Sequence, residues 1–418
     1  MTHAPRAKQS KITRFLKVIG HFVNQNVLSQ VLTAILSLII VARVTNWWTG
    51  PQSYRVYVVG SFNPSEETTQ EVWQGFTQKG NPLGTIDGVT VVADRENDAG
   101  NPKEATSVAA QLAERSDTLM VLGHVLSTQS KAALPSYLQH IEQPVPVILA
   151  TETNPELLPD SLPDENPYPV FRLSPTDDEQ VTKAADFAVE TLKANKFWIV
   201  KDTHNKTYSD YLATGFQIQV ANAGKGVVMT TTTDELPNPD ELRKSGIDCV
   251  FFAGDQSHAM ILIDQIGSIF PHKKPRIMLS DWSVGPELLP KKGKDAEGIF
   301  LTHPLSADAY NKDQYVWYGK QAREIVEHLI RDADVRFSQA LTDKEPLSFF
   351  FKRVLNVHRV GDARTAIGAI MNERHTFQTP DVTYIFDHDG KSATGEFHIW
   401  QIQKGKFVEC IEDDGNCK

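Results

Sequence analysis

From Tyr54 onward, short runs rich in β-branched and aromatic residues alternate with amphipathic stretches, and this alternation limits the fold more than any other feature. YRVYVVGS reads as a strand. EETTQEVWQGFTQKG then carries Val72, Trp73 and Phe76 on one side of a helix and stops at Gly80. VTVVADRE is a second strand, NPKEATSVAAQLAERS a second helix, TLMVLGH a third strand, STQSKAALPSYLQHI a third helix and PVPVILATE a fourth strand. Strands separated by single helices at this spacing imply right-handed βαβ units and a parallel sheet.

The stretch TNPELLPDSLPDENPYPVFRLSP is rich in Pro, Asp and Asn and reads as a passage between lobes. The alternation then resumes. Helix DDEQVTKAADFAVETLKANK, strand FWIVKD, helix YSDYLATGFQIQVANAG, strands GVVMTTT and DCVFFAG, helix SHAMILIDQIGSIF, and strands PRIMLSD and EGIFLTH follow one another. A long helix, QYVWYGKQAREIVEHLIRD, comes next, and VTYIFDHDGKSATGEFHIWQIQKGKFVE reads as strands around a DG turn. The pattern predicts an α/β architecture of two similar doubly wound lobes, preceded by one transmembrane helix.

The helix ahead of the lobes rests on charge. No Asp or Glu occurs before Glu66, and Val18 to Ala42 holds no charged residue. Its densest part is VLTAILSLIIVA, and about 20 mostly apolar residues cross a bilayer. Arg6, Lys8, Lys11, Arg14 and Lys17 precede it and Trp47 and Trp48 follow it. That order keeps residues 1–17 in the cytoplasm and makes 18–44 an anchor, with 45–53 a linker. A cleaved secretory signal is the rival reading. Either one sends the body out of the cytoplasm. Overall, 42 basic residues face 52 acidic ones, a net charge of −10, which argues against a nucleic-acid binder.

Of three cysteines, Cys249 lies in the apolar run IDCVFF and reads as a buried strand residue. Cys410 and Cys417 are close in sequence; in an oxidising compartment they pair, and otherwise they are two thiols on a loose tail.

With these segments in order, the chain from Tyr54 to Val408 resembles the leucine/isoleucine/valine-binding protein family, the type I periplasmic binding proteins. DRENDAGNPKEATSVAAQL resembles the family's aspartate-rich turn and helix, and VLGHVLSTQSKAALP its strand, Gly-x-x-x-Ser loop and helix. ILATETNPEL, FRLSPTDDEQ and FDHDGK resemble its Thr-containing loop, its entry into the second lobe and its closing segment. The resemblance implies two doubly wound lobes joined by three crossings: lobe 1 spans 54–172, with about 303–378 returning to it, and lobe 2 spans 173–302, completed by about 379–418. It also implies a ligand in the cleft between them, beyond the carboxyl ends of the strands.

It also implies site residues. Ser127 and Thr128 stand at a helix start, where unpaired N–H groups attract an anion; the plain alternative is an ordinary N-cap. Ala150, Thr151 and Thr153 match the family's carbonyl and hydroxyl ligands. Glu152 departs from the pattern: it either points to solvent or makes the pocket prefer extra positive charge. Tyr208 stands to cover a ligand and Asp281 to face its ammonium, with Trp282 as a wall. Asp255 occupies a loop where amino-acid binders carry an aromatic, which weighs against an aliphatic ligand.

Motifs for nucleotide binding, zinc proteolysis and serine hydrolysis are absent from the sequence, and the 13 His residues show no paired ligand spacing. Asp387 and Asp389 in DHDG read as a hairpin turn, and His124 as a hydrogen-bonded structural residue. No catalytic residue, metal site or cofactor is expected. The expected function is a membrane-anchored extracytoplasmic receptor that captures a small polar, amino-acid-like solute for an ABC-type permease. The alternative is a ligand-sensing ectodomain that signals through a partner membrane protein.

Overall fold

The structure is a computed structural model that describes residues 53–64, 67–140, 142–157, 169–307, 314–343, 360–386, 390, 395–410 and 417, with 33, 34 and 37 besides. Two sheets organise it. The first takes β1 (Ser53–Gly60), β2 (Gly84–Ile86), β3 (Val89–Asn97), β4 (Thr118–Gly123), β5 (Val147–Leu149) and β6 (Val170–Arg172) in the order β2-β3-β1-β4-β5-β6. All its pairings are parallel except β2 with β3. The second takes β7 (Lys196–Lys201), β8 (Gly226–Thr232), β9 (Cys249–Ala253), β10 (Arg276–Leu279), β11 (Phe300–His303), β14 (His398–Gln403) and β15 (Lys406–Glu409) in the order β15-β14-β11-β10-β9-β7-β8. Its first five strands are parallel, and the last two join antiparallel. A separate ribbon pairs β12 (Thr376–Gln378) with β13 (Thr383–Ile385).

Side chains leave a strand on alternate faces, so a strand covered on both sides must be apolar throughout. In β1, Tyr54, Val56 and Val58 enter one core while Tyr57 and Val59 enter another. In β7 and β9, Trp198, Val200, Val250 and Phe252 face one side and Phe197, Ile199, Cys249 and Phe251 the other. Cys249 is thus fully buried, and burial pushes its thiol well up.

The helices that cover these faces are α1 (Glu67–Thr77), α2 (Pro102–Glu114), α3 (Ser127–Leu138), α4 (Asp177–Asp186), α5 (Lys206–Asn222), α6 (Pro239–Ser245), α7 (Gln256–Ile269), α8 (Leu288–Lys292), α9 (Gln314–Asp343) and α10 (Val360–Glu373). Helix α9 lies so close to α1 that each needs a glycine at the contact. A Cβ on Gly75 would fall 2.0 Å from the Val316 carbonyl oxygen, and one on Gly319 2.2 Å from that of Val72.

Three readings of the sequence need correction. Between GVVMTTT and DCVFFAG there is a helix, α6, capped by Asn238 with Pro239 at its start. These strands, β8 and β9, run parallel on either side of β7, and parallel strands of one sheet require such a crossover. The third passage between the halves comes after Phe386 rather than near 379. Phe377 and Phe386 meet Phe171 at ring-centroid distances of 5.6 Å and 4.0 Å and so hold β12 and β13 on the first core. Consequently β13 and β14 lie in different sheets, and the DG segment between them closes no hairpin; the hairpin is β14–β15. Residues 387–389 themselves lie outside the described residues.

The expected anchor at 18–44 and the residues 1–17 lie outside the described residues except for 33, 34 and 37. Among the described residues no helix is long and apolar enough to cross a membrane, so the structure lends the expected helix no support. At the other end Cys410 and Cys417 are joined by a disulfide, S–S 2.01 Å.

Candidate functional site

Parallel sheets collect the loops after their strands at one edge, and here both sheets turn that edge toward each other. β4 is followed by His124–Leu126 and α3, β5 by Ala150–Asn154, β7 by Asp202–Asn205 and α5, and β10 by Ser280 and Asp281. A cavity of ≈ 30 Å³ lies there, lined by Ser127, Thr151, Glu152 and Thr153 from the first half and by Asn205, Tyr208, Asp281 and Trp282 from the second. Tyr318 of α9 also lines it. A wider space of ≈ 300 Å³ is lined by Leu126, His204, Asp255 and Trp282 among others.

Six of the sequence-predicted residues therefore meet around one small cavity: Ser127, Thr151, Thr153, Tyr208, Asp281 and Trp282. Three do not. Ala150 is buried in the first core. Asp255 caps α7, accepting from the His258 N–H at 2.7 Å, and lines the wider space instead. Thr128 bridges the halves. Its N–H and hydroxyl donate to Asn205 Oδ1 at 3.1 Å and 2.8 Å, and its oxygen accepts from the Thr207 N–H at 2.9 Å.

The start of α3 is consequently not capped by its own hydroxyls. Leu126 holds the cap position and makes no side-chain cap bond, and the Thr128 N–H is satisfied from the other half. Asn154 adds a second bridge, from Nδ2 to the Thr207 carbonyl at 3.0 Å.

Asp281 begins a short turn after β10 and is 9% exposed. It accepts from the Tyr208 hydroxyl at 2.6 Å and from Gln180 Nε2 at 2.7 Å, both neutral donors. No ion pair reaches it among the described residues. Burial raises its pKa, only partly opposed by Tyr208 and Gln180. Burial and the nearby Asp281 charge push the Tyr208 phenol well up, so it donates and does not ionise. Its ring meets Trp282 edge-on at 5.7 Å.

Glu152 does not point to solvent. It is 1% exposed and accepts from the Val125 N–H at 3.1 Å, the Ser130 hydroxyl at 2.7 Å and its neighbour Thr151's N–H at 2.9 Å. Burial raises its pKa against the pull of these donors. A fixed carboxylate thus already leans on the α3 start. Asp177, which sequence reasoning passed over as part of a helix N-terminus, is fully buried, and its pKa is raised well above the ordinary value by burial and then by Asp281. Gln180 and Asn205 were missed as well. Their only signal is position: one sits in the first turn of a helix, the other just after a strand.

His124 is structural as expected, hydrogen-bonded through Nδ1 to Asp98 and through Nε2 to Tyr137, both at 2.9 Å.

Residues 57–324 match the family described as periplasmic binding protein. An amino acid binding protein of Pseudomonas aeruginosa is 28% identical over 243 residues, 56% of this chain and 62% of that protein. A Leu/Ile/Val/Thr-binding protein of Salmonella typhimurium is 26% identical over 234 residues, 54% of this chain and 60% of that one. The chain thus matches less than two thirds of the length of these two curated relatives. Among solved structures, a leucine binding protein from Thermotoga maritima superposes with a TM-score of 0.66 at 16% identity, covering 86% of this chain and 97% of that one. A Rhodopseudomonas palustris solute binding protein in complex with benzoate gives 0.64 at 14% identity, covering 85% and 95%. The fold therefore holds ligands as different as an amino acid and an aromatic acid, and only the residues around the cavity bear on which solute fits. With the family matching well over half of its length, the chain belongs to the periplasmic binding proteins, a ligand-binding family rather than an enzymatic one.

Proposed function

We propose that this protein is an extracytoplasmic solute receptor for an ABC-type permease, and that it captures a small amino-acid-like solute bearing a cationic group between its two halves. One observation carries the reading. Asp281 is a buried carboxylate at the cavity wall, held by neutral donors alone. A buried charge is stable only when paired, and a ligand ammonium supplies the partner. Glu152 on the opposite wall adds a second carboxylate and works against a ligand that is only an anion. Ser127, at the start of α3 beside the Thr128 N–H that Asn205 already takes, remains the place for the solute's anionic end. Thr151, Thr153, Tyr208 and Trp282 supply its walls.

A solute that touches both halves favours the closed arrangement, because only closure completes both sets of contacts. The permease and the anchor at 18–44 belong to the same proposal. The anchor is supported by the uncharged run from Val18 to Ala42 behind five cationic residues.

The test is native mass spectrometry of the full-length chain for co-purified solute, followed by calorimetry with neutral, acidic, basic and amine-only solutes. The expected result is micromolar or tighter binding of a solute with a cationic group. Tight binding of a purely anionic solute would sink the reading. N-terminal sequencing of the mature protein tests the anchor; a mature start after Ala42 removes it and leaves export standing.

A further inference from the structure

We propose that Asp202, Asp255 and His258 form a binding site for a divalent transition-metal ion of the zinc type, with His204 beside it, at the edge of the space between the halves. β7 and β9 are adjacent in the sheet, Lys201 opposite Ala253, so their exits lie side by side. Asp202 leaves the first and Asp255 follows Gly254 out of the second. His258 comes from the first turn of α7. One ligand atom from each of the three lies within 4.8 Å of the others. His258 Nδ1 is 3.0 Å from Asp202 Oδ2 and 3.1 Å from Asp255 Oδ1, and His204 Nδ1 is 3.7 Å from Asp255 Oδ2. A tetrahedral ion with bonds of about 2.0–2.1 Å to nitrogen and oxygen has edges of about 3.3 Å, so small shifts accommodate it.

The carboxylates are already held in place. Asp202 accepts from the backbone N–H groups of His204 at 2.8 Å and Asp255 at 3.0 Å, and Asp255 accepts from that of His258 at 2.7 Å. Metal ligands are oriented by this kind of outer hydrogen bond. The donor set of imidazoles and carboxylates suits zinc and its neighbours better than calcium or magnesium, which take oxygen ligands throughout. Asp202 is fully buried, whereas His204 and Asp255 line the ≈ 300 Å³ space, which gives an ion its way in and a fourth or fifth position facing solvent or solute. With no metal, His258 Nδ1 lies within hydrogen-bond reach of both carboxylates. The site is independent of which solute binds at Asp281.

The test uses the full-length chain, stripped with EDTA and titrated with zinc alone by calorimetry at pH 7. The expected result is saturable binding at one site per chain. His258→Gln is expected to weaken it at least about tenfold, the loss typical of a disturbed metal site. His140→Gln, at an exposed histidine paired with Glu114 in the first half, leaves it unchanged. Because a variant at a helix start can fold poorly, cobalt absorption is read on the unaltered chain, where a low-coordinate site gives strong visible bands. Absence of those bands, zinc binding no tighter than about 100 μM, or equal affinity in His258→Gln overturns the proposal and leaves a salt-bridged helix cap.

Discussion

The second sheet ends in two sets of carboxylates that treat their charge in opposite ways. Asp202 and Asp255 take imidazole donors: His258 Nδ1 serves both, and His204 stands within 3.7 Å of Asp255. Asp281, at the end of β10 beside β9, takes a phenol and an amide. Burial works against ionisation at both places. At Asp255 the bonds from His204 and His258 outweigh it and hold the carboxyl below the usual range, whereas at Asp281 burial prevails and the pKa rises. One strand end is paired within the fold, and the other, on the proposed reading, takes its charged partner from the solute. A binding protein needs both: fixed loops around the cleft and a partner that only the ligand supplies.

The strongest way to break this contrast is to remove each carboxylate in turn. Asp281→Ala is expected to weaken solute binding by two orders of magnitude or more, because stranding a buried ligand cation costs about 3–5 kcal/mol. The ligand-free chain keeps or gains stability. Calorimetry and urea unfolding read the two effects separately, and unchanged affinity removes Asp281 from the site. Asp202→Asn is expected to do the reverse. It loses charge toward His258 and, with one oxygen in place of two, acceptance from one of two backbone N–H groups, so unfolding is easier by about 2–3 kcal/mol, read as a lower urea midpoint. A wild-type midpoint would show that the aspartate network contributes nothing to the fold.

Acidity sharpens the same comparison. The raised carboxylates Glu152, Asp177 and Asp281 stabilise the fold fully below their ordinary unfolded range near 4, and that contribution is lost as pH rises through their folded values. His303, stacked on Trp400 at 3.9 Å and fully buried, behaves oppositely: burial lowers its pKa to about 3, so its contribution is present above about 6.5 and lost as pH falls toward 3. In Asp281→Asn the stability gain over wild type should grow from pH 4 upward, while the acid-side loss remains. Melting curves between pH 4 and 8 check it; a constant gain would mean that Asp281 is not buried as a charge.

The strands, their two-sided burial and the loops at their ends were legible because each is dictated by local pattern: runs such as DCVFFAG permit no other place than a covered sheet. The family resemblance pointed to Ser127, Thr151, Thr153, Tyr208, Asp281 and Trp282, which the structure gathers around one cavity. What stayed hidden depends on contacts between distant segments. Glu152 is buried because Ser130, 22 residues away, and the Val125 N–H turn toward it. Asp202, Asp255 and His258 meet only when two strands lie side by side, so spacing along the chain gives no metal signature. Thr128 looked like a cap for its own helix, and its partner came from 77 residues further on.

That partner sets the smallest and most informative effect. Asn205 Oδ1 takes both the N–H and the hydroxyl of Thr128, and these bonds cross from one half to the other without any ligand. They exist only while the halves are together. Losing the acceptor therefore acts on the closed arrangement and leaves each half's own core untouched. Two neutral hydrogen bonds, each worth about 0.5–1.5 kcal/mol net, amount to about 1–3 kcal/mol. A penalty confined to the closed arrangement appears as weaker solute binding, about tenfold, and not as a lower unfolding midpoint. Asn205→Ala should thus separate cleanly from Asp202→Asn, three residues earlier in the same loop, which lowers the midpoint. Thr128→Val should act like Asn205→Ala but more weakly, because the backbone N–H of residue 128 still reaches Asn205. Calorimetry paired with small-angle scattering of the ligand-free chain decides it: an affinity and a radius both equal to wild type in Asn205→Ala would mean that this bridge has no part in holding the halves together.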